Sequence, residues 1–175
     1  MQYSTLNYRY AEQIFESREF QDKKYEIFDI VKRCPDTKLE SAKPRGFTTD
    51  QRALNRYFDN EFKIRGWEFH PDITGDGKAR LQADFKKERV QVEVQFGNMA
   101  RWYTDVFKMQ VSSSLGLIDV GVLIVPTDDY AKTIDSNIAC FERIARELPY
   151  AKMSITLPIL VIGISPKIAG RKRTQ

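Results

Sequence analysis

The sequence predicts an α/β domain built on one mixed β-sheet flanked by helices on both faces. Three observations carry this. Val90, Val92 and Val94 alternate with Gln91, Glu93 and Gln95, the period of two of a half-buried strand with an apolar and a polar face. Residues 118–125 and 159–164 are apolar almost throughout, as expected of strands covered on both sides. Helical patterns precede and separate these strands, and the order helix, helix, hairpin, helix, strand, helix, strand implies a sheet between helices.

Residues 18–33 read as the first long helix, with Phe20, Tyr25, Phe28 and Val31 near helical spacing and Pro35 as its stop. Residues 36–46 form a polar loop carrying Lys38, Lys43 and Arg45; it is basic enough to lie along a phosphate backbone, although composition alone favours ordinary solvation. Thr48, Thr49 or Asp50 caps the next helix, whose core stripe is Ala53, Leu54, Tyr57, Phe58 and Phe62 and whose stop is Gly66. Trp67 anchors that helix to the sheet. Turn-forming residues 70–77 then lead into a hairpin. Its strands are residues 79–85 and 90–95, joined by the charged turn 86–89. Residues 99–115 form a helix closed by Gly116. Thr127-Asp128-Asp129 opens a further helical region, which Asp135-Ser136-Asn137 interrupts and residues 139–148 resume.

A chain of 175 residues is expected to form one domain over residues 1–175, with residues 166–175 as a flexible basic tail. Arg171, Lys172 and Arg173 in that tail either fray into solvent or contact phosphates. The net charge of +4 permits a nucleic-acid partner without demanding one. No apolar run is long enough to span a membrane, and the N-terminus lacks the shape of a signal peptide. Cys34 and Cys140 stand alone, which fits a reducing cytoplasm. A single histidine removes most zinc sites and most Ser-His or Cys-His machinery.

A turn centred on Glu88-Arg89 sets Asp84 opposite Glu93 across the antiparallel pair, with side chains roughly 5 Å apart. Like charges that close repel. A hard divalent cation repays them, since Mg²⁺ is held by one or two carboxylates together with waters and phosphate oxygens. The alternative is an ordinary amphipathic hairpin with a solvated polar face.

Asp84-x8-Glu93-x-Gln95 is a variant of the PD-(D/E)xK nuclease pattern, with glutamine at the position of the lysine. More narrowly, Val92-Glu-Val-Gln-Phe-Gly-Asn98 resembles the active-site strand of type II restriction endonucleases of the BglII and BstYI kind, within the BamHI-like group. The segments Ala53-Leu-Asn-Arg-Tyr-Phe58, Gly66-Trp67, Ile118 to Pro126 and Pro158 to Ile164 follow the order of the same family. The resemblance spans about residues 45–165 and implies a restriction-endonuclease-like fold. It also implies a homodimer acting on double-stranded DNA with Mg²⁺, held by Asp84, Glu93 and the carbonyl of Val94. Gln95 cannot carry charge or act as a base near neutral pH, but its amide can orient a water.

The resemblance extends to other residues. His70 falls three positions after Trp67, where the family places a polar site residue; it can orient a water or accept its proton, or be a surface histidine before a proline turn. Asp72 and Asp76 read as turn residues. Asn98 either caps the helix that follows or bonds an adenine edge, and the resemblance favours the base. Ser136 and Asn137 match short polar residues that enter the major groove. Arg101 and Lys108 contact phosphates, pack at a subunit interface or face solvent, and residues 101–115 are the candidate dimer helix. Three functions fit: a site-specific endonuclease, with a GATC-containing palindrome as target; a structure-directed repair or recombination nuclease; and a DNA-binding module with an inactive site, for which Gln95 is the supporting feature.

Overall fold

The apolar runs form the centre of the sheet. In the computed structural model, which describes residues 1–40, 46–75 and 79–167, β5 (Val120–Pro126) is buried along its whole length and β6 (Ile159–Ser165) along nearly all of it. They pair in parallel, and β4 (Val90–Val94) joins β5 in parallel on its other side. Two short strands, β3 (Phe85–Lys87) and β2 (Glu68–Phe69), extend the sheet antiparallel beyond β4. The opposite edge is β1 (Gln2–Tyr8), antiparallel to β6, so the spatial order is β1-β6-β5-β4-β3-β2.

Period-two alternation sorts the strand side chains into two cores. Val90, Val92, Val120, Val122, Ile124, Leu160 and Ile162 pack with the helices α1 (Ala11–Phe15), α2 (Gln21–Arg33), α3 (Gln51–Ile64) and α5 (Asp128–Ile134). Leu123, Val125, Ile159 and Val161 face the opposite way, onto α4 (Arg101–Ser114) and α6 (Phe141–Glu147), which a 3-10 turn at Leu148–Ala151 follows. The expected mixed sheet with helices on both faces is what the chain forms.

A few contacts set the spacing of the layers that hold the site. Asp50 caps α3 by accepting from the N–H groups of Arg52 and Ala53 at 2.9 and 3.1 Å, and α3 then buries Leu54, Phe58 and Phe62. Phe62 stacks on Phe85 with 4.4 Å between ring centroids and meets Trp67 edge-on at 5.1 Å. The indole N–H of Trp67 donates to Glu26 of α2 at 2.7 Å, so Trp67 ties the end of α3 to both α2 and the sheet. On the other face, Gly163 lets α6 approach closely: a Cβ there would lie 2.5 Å from the Phe141 ring.

Several expectations need correction. The strand β1 was not anticipated, because all its residues but Leu6 and Tyr8 are exposed and an edge strand of this kind shows no apolar face. Residues 79–85 do not form a full strand; only Phe85–Lys87 does, with an isolated bridge between Asp72 and Gln82 further out. The helix expected at residue 18 begins at Gln21, and the one expected over residues 139–148 is α6 plus the 3-10 turn. The strand β4 is not half-solvated: Gln91 and Glu93 are fully buried and Gln95 is 8 % exposed, because α4 covers the polar face as well. Lys43 and Arg45 of the basic loop, Asp76, and the tail residues Arg171 to Arg173 lie outside the described residues.

Candidate active site

The hairpin register places the central pair of carboxylates. Phe85 faces Val92 and Lys86 faces Gln91, and the same register continued by one residue sets Asp84 against Glu93. The Asp84 carboxylate also accepts from the N–H of Val94 at 2.9 Å, which fixes it beside the end of β4. Beyond the strand, the N–H of Gln95 donates to Ile124 of β5 at 2.9 Å, so the three residues 93–95 are held by both neighbouring strands.

A cleft of about 590 Å³ opens here. Asp84, Val94, Gln95, His70, Arg101, Asp105 and Lys108 line it, with Asn55 and Asp59 of α3 on the facing wall. Glu93 does not line it, since its carboxylate is fully buried beneath Lys108. The ammonium of Lys108 lies 2.5 Å from one Glu93 oxygen and 3.1 Å from Asp105. Gln91 donates to the other Glu93 oxygen at 2.7 Å. The Gln95 amide donates to Asp105 at 2.8 Å and its oxygen accepts from the N–H of Gly97 at 2.7 Å.

The electrostatics are dominated by burial and by an excess of negative charge. Desolvation, then the nearby Asp84 carboxylate, raises the Glu93 pKa well above the ordinary carboxylate range, and Lys108 offsets this only in part. Burial likewise raises Asp105 against the pull of Lys108 and Gln95. For Lys108 burial works against the charge, but Glu93, Asp105 and Asp84 outweigh it and hold the ammonium above its usual pKa. One cation thus serves three carboxylates.

The other expected site residues fall into two groups. His70 lines the cleft from a left-handed backbone conformation (φ 52°), its N–H donating to the Asp84 carbonyl at 3.1 Å and its ring against Phe69. Arg101 lines the cleft as the first residue of α4. Asn98, Ser136 and Asn137 sit together away from the cleft lining: Asn98 bridges to Ile138, and the Asn137 carbonyl accepts from Met99 at 3.0 Å. All three are exposed. The Asn98 side chain accepts from the N–H of Ala100 at 2.9 Å in the turn before α4; it does not cap that helix, whose N-cap is Ala100 with no side-chain cap, and Ser136 bonds Asp135. Asp72 accepts from Thr74, as a turn residue does.

The sequence reading missed Asp105 and left Lys108 without a place. The sequence shows only that Asp105, Lys108 and Ser112 recur at helical spacing on α4; the fold sets Asp105 on Gln95 and Lys108 on Glu93.

The donor set suits a hard cation. Among the described residues no group of three His, Cys, Asp or Glu side chains forms a metal cage. Two apposed carboxylates and a backbone carbonyl are the oxygen ligands that Mg²⁺ takes when water and phosphate complete its sphere. A buried carboxylate such as Glu93, whose pKa is raised first by desolvation and then by the neighbouring Asp84, is a group that such an ion relieves.

Comparison with known proteins places the whole fold. The family model described as restriction endonuclease BglII/BglIII matches residues 3–164. Solved structures that resemble the chain include two of BglII. Restriction endonuclease BglII complexed with a DNA 16-mer matches with a TM-score of 0.76 and 19 % identity, covering 97 % of this chain and 81 % of that one. Free BglII matches with a TM-score of 0.69 and 17 % identity, covering 97 % and 82 %. No curated protein sequence matches the chain.

Proposed function

Because the chain belongs to the BglII/BglIII family of restriction endonucleases, we propose that it is a type II site-specific deoxyribonuclease of a restriction-modification system, hydrolysing phosphodiester bonds in double-stranded DNA with Mg²⁺. The observation that carries this reading is the cleft, which exposes Asp84 and Val94 at the end of β4 with Glu93 immediately behind them. Asp84, Glu93 and the Val94 carbonyl would hold the ion. When bound there, Mg²⁺ would polarise the scissile phosphate as a Lewis acid and lower the pKa of a water so that its hydroxide could attack.

The chain's own residues do the rest. Gln95, fixed by Asp105 and Gly97, orients the attacking water through its amide. His70 stands on the cleft wall above Asp84, placed to accept or pass on the water's proton. Arg101 contacts a phosphate from the start of α4. The exposed corner of Asn98, Ser136 and Asn137 reads base edges in the major groove, and the target is a short palindrome with GATC at its centre. The chain acts as one domain in the cytoplasm. Both cysteines are free and buried, which supports a reducing compartment. No described helix is long and apolar enough to cross a membrane.

A palindromic target calls for a two-fold dimer. The outer face of α4 supports one: Tyr103 and Phe107 are 48 % and 55 % exposed one turn apart, and Leu115 and Leu117 continue the apolar surface beyond the helix. Phe107→Asp is expected to convert a dimer to a monomer in sedimentation experiments while leaving the melting temperature nearly unchanged. A wild-type protein that sediments as a monomer both alone and on DNA would overturn the dimer.

The function itself is tested by incubating the purified protein with unmethylated phage DNA, with Mg²⁺ or with EDTA. Discrete Mg²⁺-dependent bands are the expected result, and sequencing the ends gives the site. A Mg²⁺-dependent smear would replace this reading with a structure-directed nuclease. Binding without cleavage would replace it with an inactive DNA-binding module.

A further inference from the structure

Lys108 lies between the cleft and the ligand that the cleft should offer. Its ammonium lines the opening, while the Glu93 carboxylate it contacts at 2.5 Å is fully buried. A second carboxylate, Asp105, is already within 3.1 Å of the same ammonium and is held in place by Gln95. When ionised, Asp84, Glu93 and Asp105 together carry three negative charges against the one of Lys108, an excess that a divalent ion would neutralise. Like charges that remain uncompensated in a buried site are costly.

We propose that Lys108 is a built-in counter-cation: in the metal-free protein its ammonium covers Glu93, and a divalent ion entering the cleft must take Glu93 from it. This rests on the metal site of Asp84, Glu93 and Val94 set out above. The exchange leaves no charge stranded, because the ammonium moves from a shared position onto Asp105 alone. Gln95 is then more than a replacement for a lysine on the strand. By bonding Asp105 it fixes the carboxylate that receives the displaced ammonium. The positive charge of this site thus comes from α4 and not from β4. Lys108 is accordingly a positioning residue, which keeps the acidic pair assembled before the ion arrives and sets how tightly the ion binds.

The test is calcium binding by the full, EDTA-treated chain without DNA, measured by calorimetry, because Ca²⁺ probes the ligands without requiring turnover. Lys108→Met removes the competing cation and is expected to bind Ca²⁺ roughly tenfold more tightly than the wild type, in line with the effect of one close charge on a buried carboxylate. Lys108→Arg keeps the charge and should stay near the wild type, while Asp84→Asn should bind much more weakly. A folded Lys108→Met protein that binds Ca²⁺ no tighter than the wild type overturns the counter-cation and leaves the metal site standing. Binding in none of the variants overturns the metal site and the proposal together. A second measurement does not depend on Lys108→Met folding. In wild-type protein with labelled lysines, the Lys108 side-chain NMR signal, identified by its loss in Lys108→Arg, should shift as Ca²⁺ is added. A signal that stays fixed while Ca²⁺ binds overturns the proposal.

Discussion

Asp84→Asn is expected to lower the rate of DNA cleavage by about 10³-fold or more while leaving the protein folded and able to bind DNA. The substitution is a narrow one. An asparagine oxygen still accepts the N–H of Val94, the bond that fixes residue 84 beside β4, so the hairpin keeps its shape. What disappears is the charge, and with it one of the carboxylates proposed to hold the ion. Glu93→Gln should have a comparable effect, with a further consequence: Lys108 would then rest on Asp105 alone. Plasmid nicking in Mg²⁺ and gel-shift assays in Ca²⁺ separate the two properties. Wild-type cleavage by Asp84→Asn would remove Asp84 from the site, and with it the reading of the Asp-x8-Glu motif.

Phe62→Ala should be among the most destabilising single changes in the chain, costing about 3–5 kcal/mol. Phe62 is fully buried, stacks on Phe85 and also meets Trp67 and Phe58. Its removal opens a cavity between α3 and the sheet directly behind Asp84, because Phe85 is the next residue along. For a chain of this size the loss corresponds to a melting temperature lower by roughly 10 °C. Since Phe85 would lose its stacking partner, cleavage measured well below the transition should fall as well. A thermal melt within a degree or two of the wild type would show that α3 and the sheet close the gap, and that the aromatic contact does not position the site.

The legible part of this protein was the part written in local pattern. The alternation at Val90 to Val94 and the apolar runs at residues 118–125 and 159–164 located three strands, and the structure joins them in the core of the sheet. The turn at Glu88-Arg89 set the register, and the observed pairing of Phe85 with Val92 is the register expected. Asp50 was among the caps foreseen for α3, and Gly66 and Gly116, both at positive φ, follow the ends of their helices as anticipated. Strand β1 was not legible, because its residues are exposed and only the free edge of β6 selects them as a strand.

By itself the sequence determined that Asp84 and Glu93 would meet, since hairpin register follows from turn position and side-chain alternation alone. Only the tertiary structure decided what surrounds them. Lys108 and Asp105 lie on a helix separated from β4 by a loop, and no local rule says which face of that helix covers the strand. The packing of α4 onto the polar side of β4 turned an apparently solvated face into a buried one, with Gln91 and Glu93 shut off from water. Burial strengthens every charge interaction there, and it is what makes a single lysine matter to three carboxylates.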